Sequence, residues 1–233
     1  MILFIILTYQ NTIKYSVTKS LISYLLCVII QLKTNHQEVY FKEMTHKFDA
    51  KNKHKLDNEK RRELLPPEET LIKLGLHEGD IMADIGCGIG YFTIPAAKIV
   101  GDSGKIFAMD ILPEMLQDVG EKIKDNDTLN IEIILTEEND LKLEDNKITI
   151  AFISNVLHEA NEKETFMNEI KRILSPKGRI AIVEWQKINS EFGPPINHRL
   201  DKADLIKMFV SFGFSNISTI DIGENFYGLI AEK

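Results

Sequence analysis

Apolar positions along the chain follow two rhythms in turn. Ile81 to Ile85 is a short apolar run that stops at a glycine cluster, and Phe92 to Val100 follows with helical spacing, so the passage predicts strand, glycine loop, helix. The alternation then repeats. A strand is expected at Lys105 to Met109, a helix at Pro113 to Lys124 with Met115, Val119 and Ile123 on one face, and a strand at Ile131 to Leu135. Strands at Ile148 to Ser154 and Arg179 to Glu184 flank a helix that carries Phe166, Ile170 and Leu174. A helix from Lys202 to Phe212 should end at Gly213, and strands near Ile217 to Ile222 and Phe226 to Ala231 follow without a helix between them. Strands that alternate with helices predict an α/β fold: a doubly wound sheet, mostly parallel, with an antiparallel C-terminal strand.

Residues 1–43 break the pattern. Their apolar stretches, Met1 to Leu7 and Leu21 to Leu32, fall short of the roughly 20 residues that span a bilayer. They also lack the basic start and small-residue cleavage site of a signal peptide. The stretch has no Gly, Ala, Pro, Asp or Arg. Four of these have GC-rich codons, so the expectation is translated upstream sequence from an AT-rich genome, with the working protein starting at Met44. Residues 44–66 read as a polar, Lys- and His-rich arm or lid with isolated Phe48 and Leu56, and the main domain runs over 67–233. Pro66 and Pro67 before Glu68 and Glu69 suit a first helical turn.

Composition narrows the function. The chain has 233 residues, 44% hydrophobic, enough for one full core, and a net charge of -7, which argues against nucleic acid and for a small-molecule partner. Cys27 and Cys87 alone give no disulfide framework and no metal-ligand cluster, so no metal is expected and a reducing cytoplasm is the default compartment. No stable membrane association is expected, and the oligomeric state is left open.

The chemistry concentrates at Asp84-Ile85-Gly86-Cys87-Gly88-Ile89-Gly90. Parallel sheets bind ligands beyond the carboxyl ends of their strands. Gly86, Gly88 and Gly90 let the backbone turn sharply and approach a ligand, and the next helix offers free N–H groups. A dinucleotide fingerprint spaces its glycines G-x-G-x-x-G; this loop reads G-x-G-x-G after an acid, which points away from a dehydrogenase. Asp110, at the end of the next strand, can accept from both ribose hydroxyls. A glycine turn that only packs helix on sheet is the bland alternative.

Asp84 to Gly90, the Asp110 strand end, Asn155-Val156-Leu157-His158-Glu159 and Leu174 to Arg179 together resemble a class I S-adenosylmethionine-dependent methyltransferase of the ubiquinone/menaquinone-methyltransferase-like superfamily. His46 to Asp49 and Gly193-Pro194-Pro195 are similar to a branch of small, poorly characterised bacterial and archaeal members, and that likeness again favours Met44 as the start. The resemblance implies a Rossmann-like domain with S-adenosylmethionine as cofactor. It places Asp84 and the loop glycines at the methionine portion, Asp110 at the ribose, Glu137 at the adenine amino group and Asn155 beside the cofactor, with Ile111 a further cofactor-binding candidate. Where the family carries Asp in the fourth strand, this chain has Thr149.

Methyl transfer from a sulfonium depends chiefly on alignment, and a base is needed only for a poorly acidic acceptor. His158 and Glu159 are the catalytic candidates; facing solvent or capping the chain is their bland reading. Glu184, Trp185, His198 and Arg199 are substrate candidates at the same rim, Trp185 as a wall and Arg199 as the holder of an acidic acceptor. Alternatively, Trp185 packs core and Arg199 pairs with a surface carboxylate. Cys87 reads as a small loop residue. Arsenite methylation would want more thiols, and an amino-directed nucleic-acid methyltransferase a basic face. The expectation is methyl transfer to a small molecule; the alternatives are a non-catalytic S-adenosylmethionine-binding sensor or partner subunit and a nicotinamide-dependent oxidoreductase.

Overall fold

The computed structural model describes residues 48–190 and 192–233. The expectations for residues 1–43 and for a start at Met44 lie outside the described residues. A seven-stranded sheet has the order β3-β2-β1-β4-β5-β7-β6. Its parallel part comprises β1 (Ile81–Ile85), β2 (Lys105–Asp110), β3 (Ile131–Leu135), β4 (Ile148–Ser154) and β5 (Leu174–Trp185). β7 (Phe226–Glu232) runs antiparallel to both β5 and β6 (Ser215–Asp221), as expected for strands joined without a helix. Strand order reverses between β1 and β4, which opens a crevice at their carboxyl ends.

The helices in chain order are α1 (Glu59–Leu64), α2 (Pro67–Lys73), α3 (Thr93–Val100), α4 (Pro113–Asp125), α5 (Lys163–Ile173) and α6 (Lys202–Ser211). They cover both sheet faces. On one, Phe166, Met167 and Ile170 of α5 and Phe209 of α6 pack on Ala83, Ile85, Ile153 and Ile182. On the other, Leu71 of α2 and Ala96 and Val100 of α3 pack on Met82, Ile106, Phe152 and Val183. The central strands are therefore buried on both sides, which fixes their register relative to the rim. The described part of the arm, a 3-10 helix Ala50–Leu56 followed by α1, contains no buried residue.

One expectation is corrected. Leu174 does not end α5 but opens β5, paired with Ile148, because Pro176 follows and disfavours further helix. The ladder then jumps from Ile148–Leu174 to Ile150–Arg179, leaving Ser175 to Gly178 as an irregular stretch. Thr149 lies at the opposite end of the sheet from the rim. Its Oγ1–H donates to Asp80 Oδ1 at 2.7 Å, and Arg179 donates to the same Asp80 at 2.8 and 3.0 Å. This polar cluster around the buried Asp80 ties β1, β4 and β5 together at the end of the sheet away from the rim, so Thr149 has no part in the crevice.

Candidate active site

The rim begins where β1 meets the glycine loop. Gly86 and Cys87 N–H both donate to Met109 O, at 2.8 and 2.9 Å, which fastens the loop to β2. Gly86 has φ +71°, and a Cβ there would stand 2.4 Å from Val156 Cγ2. Gly88, at φ +54°, donates its N–H to Asp110 Oδ2 at 2.9 Å, while Leu112 N–H donates to Oδ1 at 2.9 Å. Asp110 is thus a nearly buried carboxylate clamped at the mouth of the loop. Burial raises its pKa, against the pull of these backbone donors. Ile111 beside it is partly exposed at 37%, an apolar face on the rim.

Asp84 lies beneath the loop, buried in β1, and accepts from Thr93 Oγ1–H at 2.6 Å. Burial pushes its pKa up to about 7; the Thr93 hydrogen bond opposes the shift and the charge of Asp110 adds to it. Thr93 escaped the sequence reading because nothing in its spacing from Asp84 says that the first turn of α3 folds back over β1. Asn155, after β4, adopts φ +58°, with its N–H on Val183 O at 2.8 Å and its Nδ2 on Ser154 Oγ at 3.2 Å. Its Oδ1 is buried without a partner among the described residues, an open acceptor at the crevice.

A second cluster stands on the ends of β4 and β5. His158 lies on a 3-10 helix, Leu157–Glu159, and its Nδ1 is 2.9 Å from Glu184 Oε2, while its N–H donates to Oε1 at 3.3 Å. Glu184 is fully buried and its carboxylate only accepts, so Nδ1 carries the proton and Nε2 is the free base nitrogen, 3.9 Å from Glu159 Oε1. Burial works against charge on His158, yet the hydrogen bond and charge of Glu184, with Glu159 beyond, raise its pKa above the ordinary histidine value. Burial raises Glu159, which accepts from the Phe48 N–H at 3.0 Å. The arm therefore reaches the rim. Leu56 Cδ1 also lies 3.2 Å from the point where a Cβ on Gly88 would sit, and Lys53 pairs with Asp118 of α4 at 2.7 Å.

The remaining candidates separate. Arg199 is buried, and every N–H of its guanidinium is directed at the loop after β5: the carbonyls of Gln186, Ile188, Phe192 and Pro194 and the Ser190 hydroxyl. With no donor left over, Arg199 shapes the loop and is not free to hold an acidic acceptor. Its Cζ lies 5.3 Å from the ring of Trp185, which also packs on Phe226 at 4.2 Å and under Gly193, where a Cβ would approach the ring to 2.7 Å. His198 ends a 3-10 helix, Ile196–His198, next to this assembly. Glu137 is exposed past β3 and pairs with Lys142 at 3.2 Å.

A sheet in this order, with a glycine loop after β1 and an acid closing β2, defines the class I S-adenosylmethionine-dependent methyltransferase fold. Residues 76–212 match the model of the methyltransferase domain family, and the chain belongs to that family. The structure is similar to that of an S-adenosylmethionine-dependent methyltransferase from Aquifex aeolicus, with 32% identity, a TM-score of 0.76 and coverage of 80% of this chain and 99% of that one. Among curated proteins, it is 33% identical over 104 residues to an arsenite methyltransferase of Halobacterium salinarum, covering 45% of this chain and 27% of that protein. It is 27% identical over 124 residues to a demethylmenaquinone methyltransferase of Geobacillus, covering 53% of each. The chain thus spans about half, or less, of the length of these curated relatives.

Proposed function

We propose that this chain transfers a methyl group from S-adenosylmethionine to a small-molecule acceptor at the crevice between β1 and β4, with His158 receiving the acceptor's proton. The observation that carries this reading is the meeting of two clusters at one rim: the loop clamped on Asp110, and the His158–Glu184 pair. The open acceptor Asn155 Oδ1 suits a ligand with hydrogen-bond donors, and the bare Cα positions at Gly86 and Gly88 suit close approach of a ligand to the backbone.

Asp84, Gly86, Gly88, Gly90, Asp110, Ile111 and Asn155 would hold the cofactor, with Glu137 at the adenine end. When bound, S-adenosylmethionine supplies an electrophilic methyl group on a sulfonium. Glu184 fixes the His158 tautomer and ring plane, and Nε2 accepts a proton beside Glu159, whose second oxygen is held by the arm. Trp185 walls the far side. Residues of the arm that meet Glu159 and the glycine loop exclude water from the crevice.

An arsenite acceptor is disfavoured by thiol supply, since Cys87 is buried and burial raises its thiol well above the usual range. The net charge of -7 favours a small acceptor over nucleic acid. Among the described residues no helix is long and apolar enough to cross a membrane. The free thiol of Cys87 suits a reducing compartment, and the cytoplasm is the place proposed for the reaction.

Turnover of labelled methyl groups across a panel of hydroxyl, amine and acidic-carbon acceptors tests the reading. For an active acceptor, Glu184→Gln should lower kcat about tenfold to a hundredfold and move the acidic limb of the pH profile down, because the lost carboxylate no longer raises His158. An unshifted limb would remove His158 from the chemistry. Binding of cofactor without turnover on any acceptor would leave a sensor.

A further inference from the structure

The arm carries two adjacent arginines in unequal surroundings. Arg62 is neutralised: its Nε and Nη2 donate to Asp57 Oδ1 and Oδ2 at 2.7 and 2.8 Å, and Lys122 approaches the same carboxylate at 3.5 Å. Arg61 has no such anion. Its Cζ stands 4.8 Å from the centre of the Tyr91 ring, and its Nε is shut off from solvent with no hydrogen-bond partner among the described residues. Burial lowers its pKa, with Tyr91 and Asp57 opposing at longer range. Arg61 as a whole is half-buried, but its Nε is taken out of water without a partner, which is unfavourable, so an unsatisfied guanidinium donor on a built surface points to an anionic ligand.

That surface is built. Tyr91 is locked by its hydroxyl, which donates to Leu65 O at 2.8 Å, and by an edge-to-face contact with Phe92 at 5.0 Å. Tyr91 directly follows Gly90 of the cofactor loop. Phe92 is the N-cap of α3 and supplies no side-chain cap, so the first N–H groups of that helix add positive potential next to Arg61. On the other side of the loop the Asp110 carboxylate, which accepts from the Gly88 and Leu112 N–H groups, opposes a second anion. A zwitterionic ligand lying across the loop is therefore favoured with its ammonium toward the sheet and its carboxylate toward the arm.

We propose that Arg61 binds the α-carboxylate of the methionyl group of S-adenosylmethionine, so that the arm is part of the cofactor site. The assignment rests on the cofactor reading above. Arg61 is suited to it because a planar guanidinium grips a carboxylate with two parallel hydrogen bonds, which a lysine cannot reproduce.

Calorimetry on the full chain with S-adenosylmethionine and with decarboxylated S-adenosylmethionine separates the two ideas. Arg61→Ala should weaken S-adenosylmethionine roughly tenfold to a hundredfold and leave the decarboxylated ligand within about twofold of wild type. Arg61→Lys, which keeps charge and stem, should give a smaller loss confined to the carboxylated ligand, and serves if the alanine variant does not fold. Equal losses for both ligands, or an undiminished affinity for S-adenosylmethionine, would overturn the assignment while sparing the cofactor reading. Failure of the wild-type chain to bind either ligand would overturn both.

Discussion

Asp84 shows how one buried acid couples this fold to pH. Its pKa of about 7 lies above the value of an aspartate in the unfolded chain, near 3.8, so the native state binds a proton that the unfolded state has released. Stability from this group is complete below about pH 4 and is lost as pH rises through 7; Asp110 and Glu159, also raised by burial, act in the same direction. Denaturant unfolding of the unliganded chain should therefore show lower stability at about pH 8 than at about pH 5, by an amount on the order of 2 to 4 kcal/mol from Asp84. Asp84→Asn should flatten most of that slope, and a slope unchanged by the substitution would mean that Asp84 does not hold the proton. The position of Asp84, near the end of β1 just before the glycines, was legible in the sequence. Its protonation was not, because burial and the Thr93 hydroxyl come from the packing of α3.

At the scale of elements, the glycine loop and the segment after β4 are one unit. Val156 fills the space where a side chain on Gly86 would go, and the left-handed backbone at Asn155 turns the chain so that Val156 lands there. Gly86→Ala should cost about 1 to 3 kcal/mol of stability from the positive φ and the overlap with Val156. Adding Val156→Ala should recover only the overlap. Guanidinium unfolding of the single and double variants checks this, and full recovery would assign no strain to the backbone. Element boundaries came largely from periodicity: β1, β3 and β4 fall where the apolar runs put them. Leu174 misled because its apolar side chain fits either the face of α5 or the start of β5, and the choice follows from pairing with Ile148. Arg199 misled for a related reason. A charged residue near a rim reads as a ligand holder until the loop that consumes its donors is known.

For the whole molecule, sheet order decides which loops meet. Because β1 lies between β2 and β4, the glycine loop, Asp110 and Asn155 converge, and because β5 follows β4, Glu184 reaches His158. The cofactor class has a direct test in thermal unfolding. S-adenosylmethionine at about a hundred times its Kd should add about 2.7 kcal/mol, roughly 5 to 10 °C in Tm, with no comparable shift from NAD. Stabilisation by NAD alone would reverse the class. The sequence by itself determined the alternation of elements, the antiparallel end of the sheet, and a glycine loop followed one strand later by an acid, since these depend on local spacing and on glycine's freedom at positive φ. Only the tertiary structure decided that His158 is oriented by Glu184, that Arg199 serves a loop, that Thr149 sits at the end of the sheet away from the rim and that the arm brings Phe48 to Glu159, Leu56 to Gly88 and Arg61 to Tyr91. Those relations join residues far apart in the chain. They are set by backbone pairing, which is indifferent to side-chain identity, and by burial, which changes what each polar group can do.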